Sequence, residues 1–295
     1  MPRYVFGSDV LLPYLRETSI DRKLHTQKTE TLSCKYLEPF FGRMVLTHND
    51  KEPKRITGSV VRQFRETLKL TRGMKPTSVK RHLAVASKAV NYAISEWDFE
   101  CPNPFQKRLI SERDAIAARS EPHVWRELTD AQEARLLLAC EPFCRDVVLF
   151  SLNTGLRQSE TLSLTWDRVC GDVIKFTPDT QKANRYGERI MNQTALEIVA
   201  RQQFNGPFVF HDQNGKPVSR FKLNHLWRQA REAAGLPGFQ FHWLRKNAGQ
   251  RILNVPGASI EEVQHQLGHS DVRTTQSCYT KAPVDRMRHA VSAIG

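Results

Sequence analysis

Arg157 in T-G-L-R-Q-S-E, His242 and Arg245 in H-W-L-R, His269 in L-G-H-S and Tyr279 ten residues later have the types and spacing to attack a phosphodiester. A planar guanidinium offers forked donors and stays charged at any working pH, so Arg157 and Arg245 could neutralise the two non-bridging oxygens of one phosphate. Two imidazoles could supply hydrogen bonds and carry protons, which leaves the Tyr279 phenol as the nucleophile. Glu160, three residues after Arg157, can pair with it or fix its orientation.

Taken alone, each of these residues has a plainer reading. Arg157 would be a surface arginine at a helix start, His242 and Arg245 a structural pair, and Tyr279 a half-buried tyrosine with a satisfied hydroxyl. Their joint order is what argues for a site. His242 and Arg245 are three apart, so a helix projects them from one face while Phe241, Trp243, Leu244 and Ile252 anchor its other sides. That would hold the polar pair rigidly, as catalysis requires.

The elements that must position these groups are mostly helical. In the first third, the pattern predicts helices over 11–15, 29–41, 57–70 and 77–97, the last with Val79, Leu83, Ala86, Val90, Ala93, Ile94 and Trp97 as its buried stripe. Thr77 or Ser78 behind Pro76 should start that helix and Pro102 and Pro104 stop the chain, with Lys80, Arg81 and Lys88 on the outer face as candidate DNA contacts. Thr129 should cap a helix running to about Cys140, followed by one over 142–153 that Gly155 ends, and a short one over 158–164 beginning beside Arg157. Two strands, 173–177 and 188–192, flank a polar turn containing Gln181, Lys182 and Asn184. Helices over 194–203, 219–234, 241–253, 260–267, 273–279 and 284–293 complete the reading. The expected fold is therefore mainly α with a small antiparallel β-sheet: a helical N-terminal domain over 1–105, a charged interdomain linker over 106–126, and a mixed α+β domain over 127–295.

Composition narrows the partners. The chain carries 44 Lys and Arg against 31 Asp and Glu, a formal +13, which favours a polyanion and nucleic acid first. Six cysteines show no C-x-x-C pair and no zinc-finger spacing; Cys140 and Cys144, four apart in an apolar helical stretch, read as buried reduced thiols. No run of eighteen apolar residues could span a bilayer, and the first residues lack the layout of a signal peptide, so a cytoplasmic protein without a membrane partner is expected.

The segments T-G-L-R-Q-S-E-T-L-S-L-T-W-D-R-V, H-W-L-R and L-G-H-S-D-V-R-T-T-Q-S-C-Y resemble the paired motifs of the tyrosine site-specific recombinases, the family of phage integrases and chromosome-dimer resolvases. The first domain, closing on Asn103-Pro104, is similar to that family's helical core-binding domain, though less specifically. The resemblance implies Arg157, His242, Arg245, His269 and Tyr279 as the catalytic set. It also implies a lysine on the hairpin between the two strands, which Lys182 fits, with Lys175 and Arg185 as neighbours that compete for that role.

It implies cleavage and rejoining of DNA through a 3′-phosphotyrosine, without metal, ATP or other cofactor. The implied partners are double-stranded recombination sites, a homotetramer assembled on DNA, and room for an accessory directionality factor. Lys246-Asn247 after the H-x-L-R motif depart from the family pattern, and Gly249 is expected to interrupt and soften that helix. Integration or excision of a mobile element is the leading use, with dimer resolution, strand relaxation of the topoisomerase IB type and a non-cleaving DNA-binding regulator as alternatives.

Overall fold

The computed structural model describes residues 1–22, 24–106, 125–178 and 186–269. Lys182, Arg185, Cys278, Tyr279, the expected helices over 273–279 and 284–293 and most of the 106–126 linker lie outside them. Two compact units emerge, one within Met1–Pro122 and one within His123–Gly295.

The first unit is a cluster of helices around an aromatic core. A two-residue strand β1 (Tyr4–Val5) pairs antiparallel with β2 (Val45–Leu46), a π-helical segment spans Phe6–Leu11, and α1 covers Leu12–Thr18. The helix expected over 11–15 is thus displaced toward the C-terminus, and two-residue strands are too short to show a period. Helix α2 (Leu24–Phe41) starts five residues before the expected Thr29. Its first turn, Leu24 to Gln27, leaves Leu24 exposed and shows no apolar stripe; Gln27 holds it instead by donating to the carbonyls of Ser19 and Arg22.

Helix α3 (Gly58–Arg72) is capped by the Thr57 hydroxyl, which accepts from the Val60 N–H, and stops at Gly73 in the left-handed region. Helix α4 (Pro76–Glu96) begins with Pro76 itself in the first turn, one residue before Thr77, because a helix N-terminus has no use for the missing N–H. It ends at Trp97, with Asp98 left-handed, well before Pro102. Val79, Leu83, Ala86, Val90 and Ala93 are buried against Phe6, Phe41, Phe64 and Phe105, while Lys80, Arg81 and Lys88 are exposed on the opposite side.

The second unit is built around α6 (Pro142–Thr154), whose Val147, Val148, Phe150 and Leu152 are buried. Before it, α5 (Asp130–Ala139) starts at a reciprocal cap between Thr129 and Gln132. Cys140 is the extended residue that ends α5 and Cys144 lies in α6, so the two buried thiols straddle a helix junction instead of sharing one helix. After α6 come α7 (Gln158–Leu162), a 3-10 turn at Trp166–Arg168, and strands β3 (Val169–Cys170), β4 (Val173–Phe176) and β5 (Gly187–Ile190).

The strands form an antiparallel sheet in the order β3-β4-β5, with Ile174 opposite Arg189 and Lys175 opposite Glu188. The molecule therefore has two small antiparallel sheets among its described residues, where one was expected. Helices α8 (Gln193–Ala200), α9 (Arg220–Ala233), α10 (His242–Leu253) and α11 (Ile260–Leu267) follow. Helix α10 packs on α6, and α11 packs on both α10 and β5. Gly249 does not interrupt α10: it is buried inside a continuous helix, where packing outweighs its low helical preference.

Candidate active site

Two left-handed turns aim the polar groups. Thr154 ends α6, Gly155 takes φ 70°, and Arg157 then becomes the extended residue from which α7 starts. A side chain on Gly155 would overlap Leu267, so glycine serves both the turn and the approach of α11. At the second turn Gly268 (φ 60°) ends α11, and a Cβ there would overlap the Arg189 guanidinium. His269 follows, its N–H donating to the Gln264 carbonyl at 3.1 Å and its carbonyl accepting from Gln264 Nε2 at 3.2 Å.

Glu160 is the carboxylate shared by both arginines. Its Oε1 accepts the Arg157 guanidinium at 2.5 Å, and its Oε2 accepts the Arg157 backbone N–H at 2.8 Å and lies 3.9 Å from Arg245 Nη1. Arg245 is only 3% exposed; Nη1 donates to the Gly155 carbonyl at 2.7 Å and Nη2 to the Leu267 carbonyl. One guanidinium therefore ties the Arg157 turn to the end of α11. A buried charge survives only when paired and bonded in this way. Arg157 is more open, and with His242, Arg220, Arg228, Arg231 and Gln240 it lines a cavity of about 740 Å³.

His269 lies in the field of this cluster. Burial first, then the charges of Arg245, Arg157, His242 and Arg189, hold its imidazole down to about 4. At neutral pH the ring is uncharged and able to accept a proton, beside guanidinium groups that can take an anion. Arg189, 4% exposed on the inner face of β5, stacks over the Phe176 ring at 5.5 Å and lines a second cavity, of about 560 Å³, with Tyr186, Gln264 and His269.

Arg157, Glu160, His242, Arg245 and His269 are thus brought together, and Lys182 and Tyr279 lie outside the described residues. Of the rivals to Lys182, Lys175 is exposed on the face of β4 opposite Ile174 and Phe176, away from the Arg189 side of the sheet. Lys80, Arg81 and Lys88 belong to the other unit. Arg189 carries no motif in the sequence. Its signal is register: Arg189 and Met191 alternate with exposed Glu188 and Ile190, so an arginine occupies an inward position.

The departures after H-x-L-R also have physical roles. Asn247 accepts the Leu128 N–H at 2.7 Å and donates to the Arg126 and Trp243 carbonyls at 3.2 and 2.8 Å, fastening the entry of the domain to α10. Lys246 is buried with its ammonium 5.9 Å from the Trp125 ring.

Solved integrases share this architecture. The Tn1549 transposon integrase (residues 82–397), in complex with circular intermediate DNA, superposes with a TM-score of 0.71 at 20% identity, over 96% of this chain and 99% of that one. A lambda integrase (75–356) dimer bound to a core site matches at 0.67 and 19% identity, over 92% and 95% of the two chains. Among curated relatives, the integrase of Salmonella phage P22 is 26% identical over 240 residues, which is 73% of this chain and 58% of that protein. The tyrosine recombinase XerD of Vibrio cholerae is 28% identical over 236 residues, 72% and 73% of the two chains. The phage integrase family matches residues 126–285, more than half of the sequence, and the chain belongs to that family. The tyrosine recombinase resemblance of the motifs is thereby confirmed.

Proposed function

We propose that this protein cuts and rejoins double-stranded DNA at specific sites as a tyrosine recombinase, with Arg157, Lys182, His242, Arg245, His269 and Tyr279 as the catalytic set and Glu160 in support. The observation that carries the reading is the pair of guanidiniums sharing Glu160 beside a neutral His269, ten residues before Tyr279. The Tyr279 oxygen attacks the scissile phosphorus, its proton passing to a histidine, and the bond to the 5′-oxygen breaks. Lys182 protonates that leaving oxygen, giving a 3′-phosphotyrosine and a free 5′-hydroxyl. Arg157 and Arg245 stabilise the added negative charge of the pentavalent transition state, a role in which losing one donor costs about 3–4 kcal/mol. A 5′-hydroxyl from the partner strand reverses the attack. The phosphoester bond energy stays in the protein linkage, so the exchange requires no ATP.

Reciprocal exchange needs four such sites, which supports a homotetramer on DNA; lambda integrase forms a tetramer on a Holliday junction. The domains are read as 1–105 and 127–295 with a 106–126 linker, and each contributes contacts to the duplex. Kinship with the P22 integrase supports integration of a mobile element; excision, a directionality factor and a cytoplasmic or nucleoid setting extend that reading. Among the described residues no helix is long and apolar enough to cross a membrane.

The test is covalent capture. The protein is incubated with fragmented genomic DNA in EDTA, linked fragments are recovered and mapped, and a nicked half-site is built from them. Wild type should form the adduct; Tyr279→Phe should abolish it while Kd for the half-site stays within about twofold. An adduct surviving the substitution reassigns the nucleophile, and no adduct with wild type refutes the reading. Fragments flanking a mobile element support integration, whereas a chromosomal dimer-resolution locus would make the protein a resolvase.

A further inference from the structure

Gln266 is half-buried near the end of α11, three residues before His269, and its amide spans three segments that are distant in sequence. Oε1 accepts the Ile190 N–H at 3.0 Å, and Nε2 donates to the Ile190 carbonyl at 2.8 Å and to the Thr154 carbonyl at 3.0 Å. Ile190 belongs to β5, an edge strand of the β3-β4-β5 sheet, so the amide pairs with the strand much as another strand would. Thr154 is the last residue of α6, where carbonyls lack helical partners. A single planar group thus satisfies a sheet edge and a helix end.

The bonded segments each adjoin a site residue. Thr154 stands three residues before Arg157, Ile190 follows Arg189, and Gln266 precedes His269. The Arg245 guanidinium bridges the adjacent carbonyls, Gly155 and Leu267. Leu267 packs where a Gly155 side chain would be, and Arg189 where a Gly268 side chain would be. Two planar forks and two left-handed glycines therefore hold the same three segments in register.

Building on the reading of this cluster as the DNA-cleaving site, we infer that Gln266 is a positioning residue which, by clamping β5 and the end of α6 to α11, sets the spacing of Arg157, Arg189 and His269. Sequence spacing could not reveal this, because the bonds cross 76 and 112 residues.

Gln266→Met keeps the length and removes every hydrogen bond. At saturating half-site its single-turnover cleavage rate should fall on the order of 10- to 100-fold, since a misplacement of about 1 Å costs that much, with half-site Kd within about twofold. His269, followed by NMR in the DNA-free protein, should titrate above its wild-type midpoint because burial and cation crowding both relax. Should Gln266→Met not fold, Gln266→Glu is read in the same way: it keeps the acceptor but opposes two carbonyls with a carboxylate. In wild type the Ile190 amide should exchange slowly despite lying on an edge strand. Wild-type cleavage in the variant, an unmoved His269 midpoint, or fast Ile190 exchange each overturns the clamp. If wild type forms no adduct, the proposed function falls, while the titration and exchange still decide the clamp.

Discussion

His82 in the N-terminal unit and His269 in the C-terminal unit are both held below the ordinary imidazole range, and their surroundings differ in kind. Burial is the main cause for His82, with Arg81 second; its Nδ1 lies 3.0 Å from the Ser33 hydroxyl and its ring 4.7 Å from that of Tyr36. It joins α2 to α4 and closes a core. His269 is also lowered first by burial, but then by Arg245, Arg157, His242 and Arg189. Among the described residues, the N-terminal unit buries one full charge, Glu30, whereas the C-terminal unit buries Glu160, Arg168, Arg189, Arg245 and Lys246. Burying charge opposes folding. The C-terminal unit therefore gathers buried cations beside an open cavity, while the first unit spends its interior on aromatic packing.

The largest effect that could break this contrast concerns Arg245. Lysine keeps the charge but cannot donate in fixed directions to both the Gly155 and Leu267 carbonyls while facing Glu160. Arg245→Lys should lower single-turnover cleavage by about 10²–10³ at saturating DNA. Its N-terminal counterpart is Phe41→Ala, which removes a ring packed against Phe6, Phe40, Phe64 and Phe105. That change should cost about 3–5 kcal/mol in denaturant unfolding. Cleavage per bound molecule should stay within about twofold, because Phe41 packs within the core of its own unit. Comparable losses of chemistry in both variants would mean that the units do not divide packing from catalysis.

What could be read in the sequence follows from the range over which each residue acts. Arg157 with Glu160 and His242 with Arg245 work within one turn of helix, so their spacing carries their geometry, and the α4 stripe was legible for the same reason. Thr129 and Gly155 announced their cap and their turn through local chemistry. By contrast, β1, β2 and β3 are two residues long and offer no period, and the first turn of α2, with Leu24 exposed, carries no apolar stripe. Arg189 and Gln266 act through contacts that only the folded chain creates. Gly249 differs from its expectation because helix propensity alone takes no account of the packing of α10 on α6.

A smaller effect separates the two histidines. Each has a folded midpoint below that of the unfolded chain, so as pH falls below about 6.5 the unfolded chain takes up protons that the folded chain refuses. Stability is full above that pH and declines towards about 4, where His269 itself protonates. His82→Gln and His269→Gln should each flatten part of this decline in urea titrations, but only His269→Gln should slow cleavage. NMR titration adds a sharper criterion. Bound DNA brings a phosphate anion among the cations, so His269 should move up towards its ordinary value while His82, enclosed by Ser33 and Tyr36, stays where it was. Equal movement of both would reduce His269 to a core histidine.

The smallest effect tests whether the first unit also has a DNA face. Lys80, Arg81 and Lys88 share the exposed side of α4, with Val79, Leu83 and Val90 buried behind them. If they lie on phosphates, a triple Gln variant should weaken binding about equally for every sequence and reduce the slope of log K against log salt by about 0.9 per lost contact. Cleavage at saturating DNA should not change, because no fork or proton donor at the Arg157–Arg245 cluster is disturbed. The two readouts separate the functions cleanly: a changed slope with constant chemistry assigns these residues to grip, and slowed chemistry at saturation would tie them to catalysis. An unchanged slope would make this face a solvated surface and leave the aromatic core as the unit's evident investment, with its DNA contacts to be sought on another helix.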